Sequence, residues 1–341
     1  MYVPIFKNRL YENKLLNDYG YLFKNDKIMP LIEIINISKN SLKETLLDYE
    51  KEIKSNFFID FFTFNDLEYR PYTREMVEFP IAIRDESNYR YFDDLLAKTI
   101  KSEKAIPVIA IKTARNFLLE KRKIREIITL LQKEKQSVAV RLEGKLFDDY
   151  FVLINQLLRA DDYFLLDISE NSLSSYVFQL ADFKKLKKSS YKALLLNSPR
   201  KREFYNGSYE KEEYTKLINN NVFKEYQKYD FVGFGDYLGL KDELPRKSGS
   251  GQGCAHTLFY NRFNNQFYSA LNPVLEEGIR GFKNVIRQLY QKKEELDRDN
   301  DCLAYKFIDK LMIKRNTSSN WATWKYVLML RTLSEMRKVY Y

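Results

Sequence analysis

Seven short apolar runs punctuate the chain, and each carries a charged or amide residue inside it or at its end. They are Ile28–Asn36 with Glu33, Phe57–Phe62 with Asp60, Ile106–Ile111 ending against Lys112, and Ser137–Glu143 with Arg141 and Glu143. Tyr163–Ile168 with Asp167, Lys192–Ser198 with Asn197, and Asp230–Tyr237 with Asp236 complete the set. Runs this short and this continuously apolar predict strands buried on both faces. The segments between them have helical spacing. Lys39–Lys54 opens with Ser41 and has Glu44 three residues on, a capping-box signature, followed by an apolar stripe of Leu42, Leu46, Leu47 and Ile53. Tyr89–Ile100, Arg115–Lys133, Leu146–Arg159, Leu173–Lys187 and Glu210–Tyr226 fit the same helical template.

Strand and helix alternating six times predict a parallel sheet covered by helices. A seventh strand at Phe231–Tyr237 and an eighth at Ala255–Asn261 make this a TIM-like (β/α)8 barrel. Strands 7–8 are expected to be irregular. The connection Leu238–Cys254 is broken by Gly, Ser and Pro, with no room for a crossover helix, and Ala255–Asn261 alternates with Gln266–Asn272 like a hairpin around Asn264-Asn265. Helices follow at Arg280–Glu295, Cys302–Lys314 and Asn320–Tyr340. The resulting layout is a barrel over residues 1–297 and a C-terminal helical extension, 298–341, packed on it.

Composition changes this picture little. A hydrophobic fraction of 45% supplies a core, and 30% charged residues interleaved along the chain argue against disorder. The net charge of +10 points toward a polyanionic partner. However, joint enrichment in Lys, Asn, Ile, Tyr and Phe is also what an A/T-rich genome produces, so charge alone leaves nucleic acid open. Cys254 and Cys302 stand far apart without metal-type spacing, which fits a reducing compartment. The opening run Tyr2–Phe6 is too brief for a signal-peptide core, and no stretch reaches the roughly 18 apolar residues of a membrane span. A cytoplasmic protein without a membrane partner is expected.

The polar residues inside the runs carry the candidate chemistry. Alternate side chains of a barrel strand face the interior, and barrel enzymes place their chemistry at the C-terminal ends of the strands. Glu33, Asp60, Arg141, Glu143, Asp167 and Asp236 are therefore the candidate catalytic residues, expected to converge at that mouth. Four or more carboxylates against one arginine leave negative charge to be balanced. A divalent cation (Mg2+ or Mn2+ on Glu33, Asp60 and Asp167), a basic ligand, or Lys7 and Lys112 would each do so. The competing expectation is that Arg141 pairs with Glu33 or Asp167 and plugs the barrel with a salt-bridge network.

The single histidine, His256, opens its strand and reads as a structural imidazole. Histidine-based triads and zinc sites are thereby disfavoured, leaving carboxylate chemistry, with or without a metal. Lys7, Lys112, Asn197, Arg200, Lys201, Arg202 and Tyr237 are candidate substrate contacts. Two loops serve the substrate side. Thr63–Ser87, with Arg70, Tyr72, Arg74 and Arg84, has the length of a lid. Ser198–Tyr209 reads SPRKREFYNGSY, a basic and aromatic mix suited to phosphate and base contacts or to a plain solvated surface. The run SGSGQG at Ser248–Gly253 lacks the Lys-Ser/Thr of a P-loop and reads as a flexible linker.

Several tracts together resemble the phage "beta protein" family. They are YVPIFKNRLYENKLL at the start, then IMPLIEII, FFIDFF, FLLDIS, NSPRKREF, FGDY, and ATWK at Ala322–Lys325. The resemblance runs loosely over nearly the whole chain. It implies a protein of phages, prophages and bacterial mobile or defence regions, and it brings no assigned activity. Where family members often carry paired histidines after the Trp motif, this chain has Val327–Leu330.

Two readings result. One is a carboxylate- or metal-dependent hydrolase of a phosphoester, nucleotide or nucleic acid in host–phage conflict. The other is a non-catalytic subunit that binds nucleic acid or a protein partner from the same defence locus. An oxygen-coordinated ion near Glu33, Asp60 and Asp167 would favour the first, and a closed cluster centred on Arg141 the second.

Overall fold

The computed structural model describes all residues except 38–40, 87, 116, 136, 189, 247–252 and 314–319. The SGSGQG expectation falls almost entirely outside the described residues. Eleven strands appear among them: β1 (Tyr2–Lys7), β2 (Leu31–Ile34), β3 (Phe57–Phe61), β4 (Ala105–Ile111), β5 (Ala139–Glu143) and β6 (Tyr163–Asp167). The others are β7 (Lys192–Leu196), β8 (Glu213–Tyr214), β9 (Gly233–Asp236), β10 (Ala255–Asn261) and β11 (Gln266–Asn272). Strands β1 to β7 and β9 form a closed barrel in sequence order, parallel throughout. The apolar runs are continuous because barrel strands are covered on both faces, and all seven residues of β4 are buried.

Two strand assignments differ from the sequence reading. The barrel begins with β1, which the sequence reading left out, and closes where Tyr2 pairs with Phe234 and Pro4 with Asp236. Pro4 lacks an N–H and lowers strand propensity. Ala255–Asn261 is not the eighth barrel strand. It pairs antiparallel with β11 from Ala255↔Asn272 to Asn261↔Gln266, and β11 pairs with β8. The hairpin pattern was right, and its turn contains Asn265 with positive φ. Glu210–Tyr226, expected as a helix, instead supplies β8 and only a short helix at Asn221–Glu225.

Around the barrel, the helix Leu42–Glu52 starts on the expected capping box. Ser41 Oγ accepts from Glu44 N at 3.3 Å, and Glu44 accepts from Ser41 N at 2.8 Å. Lys121–Glu134 buries Ile124, Ile127, Ile128 and Leu131, one face at helical spacing. Stacked rings join the helix layer to the strands, with Phe183 lying 5.7 Å from Phe164 and 4.3 Å from Phe231.

The chain divides into two compact units. The first, Met1–Asn197 with Asn221–Asp236 and Glu243–Arg246, contains the barrel. The second comprises Ser198–Asn220, Tyr237–Asp242 and Lys247–Tyr341. Within it, the helices Phe282–Gln291 and Trp321–Tyr340 pack on the antiparallel sheet. Phe282 stacks on Trp324 at 4.3 Å, and buried Arg331 donates to Tyr260 O at 2.7 Å. Among the described residues, no helix is long and apolar enough to cross a membrane.

Candidate functional site

Three neighbouring strands put charged residues at one level. Lys7 pairs with Glu33 in register, and Glu33 with Asp60. Arg141 reaches these carboxylates from β5, which is separated from β2 by two strands, so their contact must run through the barrel interior. Its Nη1 donates to Glu33 Oε1 at 2.7 Å and to Asp60 Oδ2 at 2.6 Å. Its Nε and Nη2 both reach Asp167 Oδ2, at 2.9 and 2.7 Å. Lys7 Nζ lies 2.5 Å from Glu33 Oε2, and Lys112 Nζ lies 3.3 Å from Asp167 Oδ2. Both ammonium groups also sit over the Phe62 ring, 4.5 and 5.3 Å from its centroid.

All six charged residues are buried. Burial on this scale is tolerated only where each charge is matched and hydrogen-bonded. Here three cations face three carboxylates, and their formal charges cancel. The guanidinium occupies the place between Glu33, Asp60 and Asp167 where a bridging divalent cation would sit. With Arg141 there, these carboxylates do not fit Mg2+ or Mn2+. Among the described residues, no group of three His, Cys, Asp or Glu side chains is arranged to hold a metal.

Asp60 is the unusual member. Burial raises its carboxyl pKa above the ordinary 3.8, against the opposing pull of Arg141 and Lys112. Its Oδ1 is buried without a hydrogen-bond partner. An acid so placed holds its proton more readily than a solvated one, which is what a general acid needs.

The other expected residues are placed differently. Glu143 accepts from Thr113 N at 2.8 Å and pairs with Lys145 at 3.0 Å, so it ties two loops together. Asp236 lies on the opposite face of its strand from Gly235. The inward position belongs to Gly235, where an added Cβ would meet Val3 O at 2.5 Å and Leu196 Cδ2 at 2.7 Å. Asp236 instead accepts from the Tyr2 hydroxyl at 2.9 Å. Side-chain alternation puts it with Phe234, whose ring is 5.2 Å from that of Tyr2. Convergence of all six candidate acids and bases inside the barrel therefore fails at Asp236. Asn197 donates its backbone N–H to Gly235 O at 2.9 Å, and its buried Oδ1 has no partner. In the loop expected as a lid, Arg84 is buried and pairs with Asp66 and Asp85, both at 2.8 Å. It pins the loop rather than facing a substrate.

A separate constellation lies in the second unit. Arg200 is buried and donates from Nε to the Tyr209 hydroxyl at 3.0 Å. Tyr209 stacks on His256, with centroids 4.6 Å apart and ring planes 13° from parallel. His256 Nε2 is 3.2 Å from Ser269 Oγ. Burial, followed by the positive charges of Arg200 and Lys241, pushes the imidazole pKa well below its ordinary value, so it stays neutral. Lys201 is exposed and pairs with Glu203 at 3.6 Å, while Arg202 faces Asp242 at 3.9 Å. Tyr237 is buried. Sequence reasoning named the loop Ser198–Tyr209 without singling out Tyr209, and it missed Lys241, which no local pattern links to Arg200.

Comparison with models of known protein families gives no match, and comparison with curated proteins gives none.

Proposed function

We propose that this chain is a nucleic-acid-binding subunit acting in host–phage conflict, with the barrel interior serving as a stiff scaffold rather than a hydrolytic centre. The observation that carries this reading is where the charge resides. Glu33, Asp60 and Asp167 are matched by Lys7, Lys112 and Arg141, so the interior network adds nothing to the net charge of +10. The whole surplus belongs to the rest of the chain. Part of it lies along one surface depression lined by Arg280, Lys283 and Arg287 with Asn284 and Glu277. These three cations are exposed, and none has a carboxylate partner among the described residues. Solvated, unpaired cations at helical spacing are what a phosphate backbone requires, because affinity there comes from counterion release. The host–phage setting comes from the sequence resemblance.

The test is the salt dependence of binding to single- and double-stranded DNA and RNA, read by fluorescence anisotropy. Reversing Arg280, Lys283 and Arg287 to Glu should flatten the log–log slope by about 2–3, following a contribution of roughly 0.7–0.9 per phosphate contact. Binding that is absent at low salt, or a slope untouched by the reversal, would remove the reading.

One observation favours the hydrolase reading. Asp60 combines a raised pKa with a free buried oxygen, as an acid–base residue would. If that reading holds, Asp60→Asn abolishes a measurable phosphodiesterase activity without changing the fold.

A further inference from the structure

The loop Ser198–Tyr209 carries a recessed cation without a counter-ion. Arg200 is only 8% exposed, and a guanidinium does not give up its charge at ordinary pH. Its Nε is bonded to Tyr209, and its carbon lies 5.1 Å from the Tyr209 ring centroid. No carboxylate among the described residues pairs with it. Of the nearby acids, Glu203 pairs with Lys201 and Asp242 with Arg202. A second positive charge is fixed nearby: Lys241 Nζ donates to Arg202 O at 3.2 Å and to Phe204 O.

Two hydroxyls of the same loop can donate. The Tyr209 oxygen accepts from Arg200, which leaves its own proton available. Two residues before Arg200, Ser198 Oγ is buried without a partner. Arginine amino groups and two hydroxyls make a donor-rich set, complementary to an anion with several acceptor oxygens. Depth narrows the choice. An internal phosphodiester, flanked by a sugar on each side, reaches exposed cations but not a recessed one, whereas a terminal phosphate does reach it. In the same loop stands Tyr205, 72% exposed, with Lys241 Nζ 5.8 Å from its ring centroid. An exposed ring next to a phosphate site is a stacking platform for a base.

We propose that Ser198, Arg200 and Tyr209 hold the terminal phosphomonoester of a nucleic-acid strand, with the adjoining base stacked on Tyr205. This deepens the nucleic-acid reading above and rests on it. The dianion would be held chiefly by the Arg200 guanidinium.

The experiment compares one single-stranded oligonucleotide sequence in three forms: 5′-phosphorylated, 3′-phosphorylated, and hydroxyl at both ends. Adenosine monophosphate and inorganic phosphate serve as small probes. One phosphorylated end should bind about tenfold or more tightly than the hydroxyl form, as charge-assisted hydrogen bonds imply. Arg200→Gln should erase that preference, and Tyr205→Ala should weaken the phosphorylated strand more than inorganic phosphate.

The single histidine gives a second readout on the unaltered protein. An anion at Arg200 offsets the charges that depress His256, so its imidazole NMR signals should shift on adding phosphorylated strand or adenosine monophosphate. Equal affinity for all three strands overturns the proposal and leaves the nucleic-acid reading intact. If no strand binds but the small probes still move His256, the nucleic-acid reading and the strand-end proposal both fall, and the phosphate contact at Arg200 belongs to a free nucleotide instead. A silent His256 with no binding at all overturns both.

Discussion

Replacing Arg141 with Met tests the interior network most severely. Methionine approximates the aliphatic stem of arginine and removes the guanidinium, which bonds Glu33, Asp60 and Asp167 at once. Glu33 keeps Lys7 and Asp167 keeps Lys112. Asp60 is left without a hydrogen bond on either oxygen, since its Oδ1 is already unpartnered and its Oδ2 bonds Arg141. Three buried carboxylates would then face two ammonium groups. Breaking a buried pair from one side typically costs about 3–5 kcal/mol. At about 2–4 °C per kcal/mol for a domain of the barrel's size, Tm should fall by about 6–20 °C.

The loss should also depend on pH with a definite sign. Burial already raises the Asp60 pKa above 3.8, and removing Arg141 takes away the main opposing pull. A carboxyl with a raised folded pKa contributes stability below its unfolded pKa and loses it as pH rises through the folded value. The gap between variant and wild type should therefore be wider near about pH 8 than near about pH 5. Scanning calorimetry at both pH values measures it. A Tm change below about 2 °C, or a gap wider at the acid end, would refute the account of Arg141 as the buried counter-ion.

Gly235→Ala should destabilise the barrel by about 1–3 kcal/mol in urea melts, because the new Cβ meets Val3 O and Leu196 Cδ2 inside ordinary contact distance. An unchanged melt would mean that Gly235 does not face the interior and that the placement of Asp236 is reversed. His256 should remain neutral through about pH 6 by NMR, since burial and the charges of Arg200 and Lys241 lower its pKa below 6.5. Its contribution to stability is present above about pH 6.5 and is lost as pH falls, where the unfolded chain takes up the proton first. Titration near the ordinary value would place the imidazole in solvent.

Much of the barrel was legible because seven of its eight strands carry short, nearly continuous apolar runs separated by helical segments or loops. The missing one, β1, is an apolar run, Tyr2–Phe6, that was weighed only as a signal-peptide core, and its Pro4 lowers strand propensity. Its omission led Ala255–Asn261 to be taken as the closing strand, although the same segment's alternation already pointed to a hairpin. The Arg141 network was legible from alternation within β2, β3, β5 and β6, together with the need to balance buried charge. Asp236 was misplaced because its position at a strand end was weighed above alternation. Gly233 and Gly235, which face Leu194 and Leu196, were the signal for the correct face. The Arg200–Tyr209–His256 stack depends on a non-local pairing of loop and hairpin, which no local periodicity reports.

The central claim is that Arg141 ties Glu33, Asp60 and Asp167 into a buried ion-paired scaffold, with the proposal that the protein binds nucleic acid without cutting it. Its most direct test incubates purified protein with end-labelled single-stranded DNA and RNA, in Mg2+, Mn2+ or EDTA. Complex formation and strand length are then read from the same samples. The account predicts a shifted complex containing full-length strand in every condition, with no dependence on the metal. Shortened products that require the metal and vanish with Asp167→Asn would contradict it.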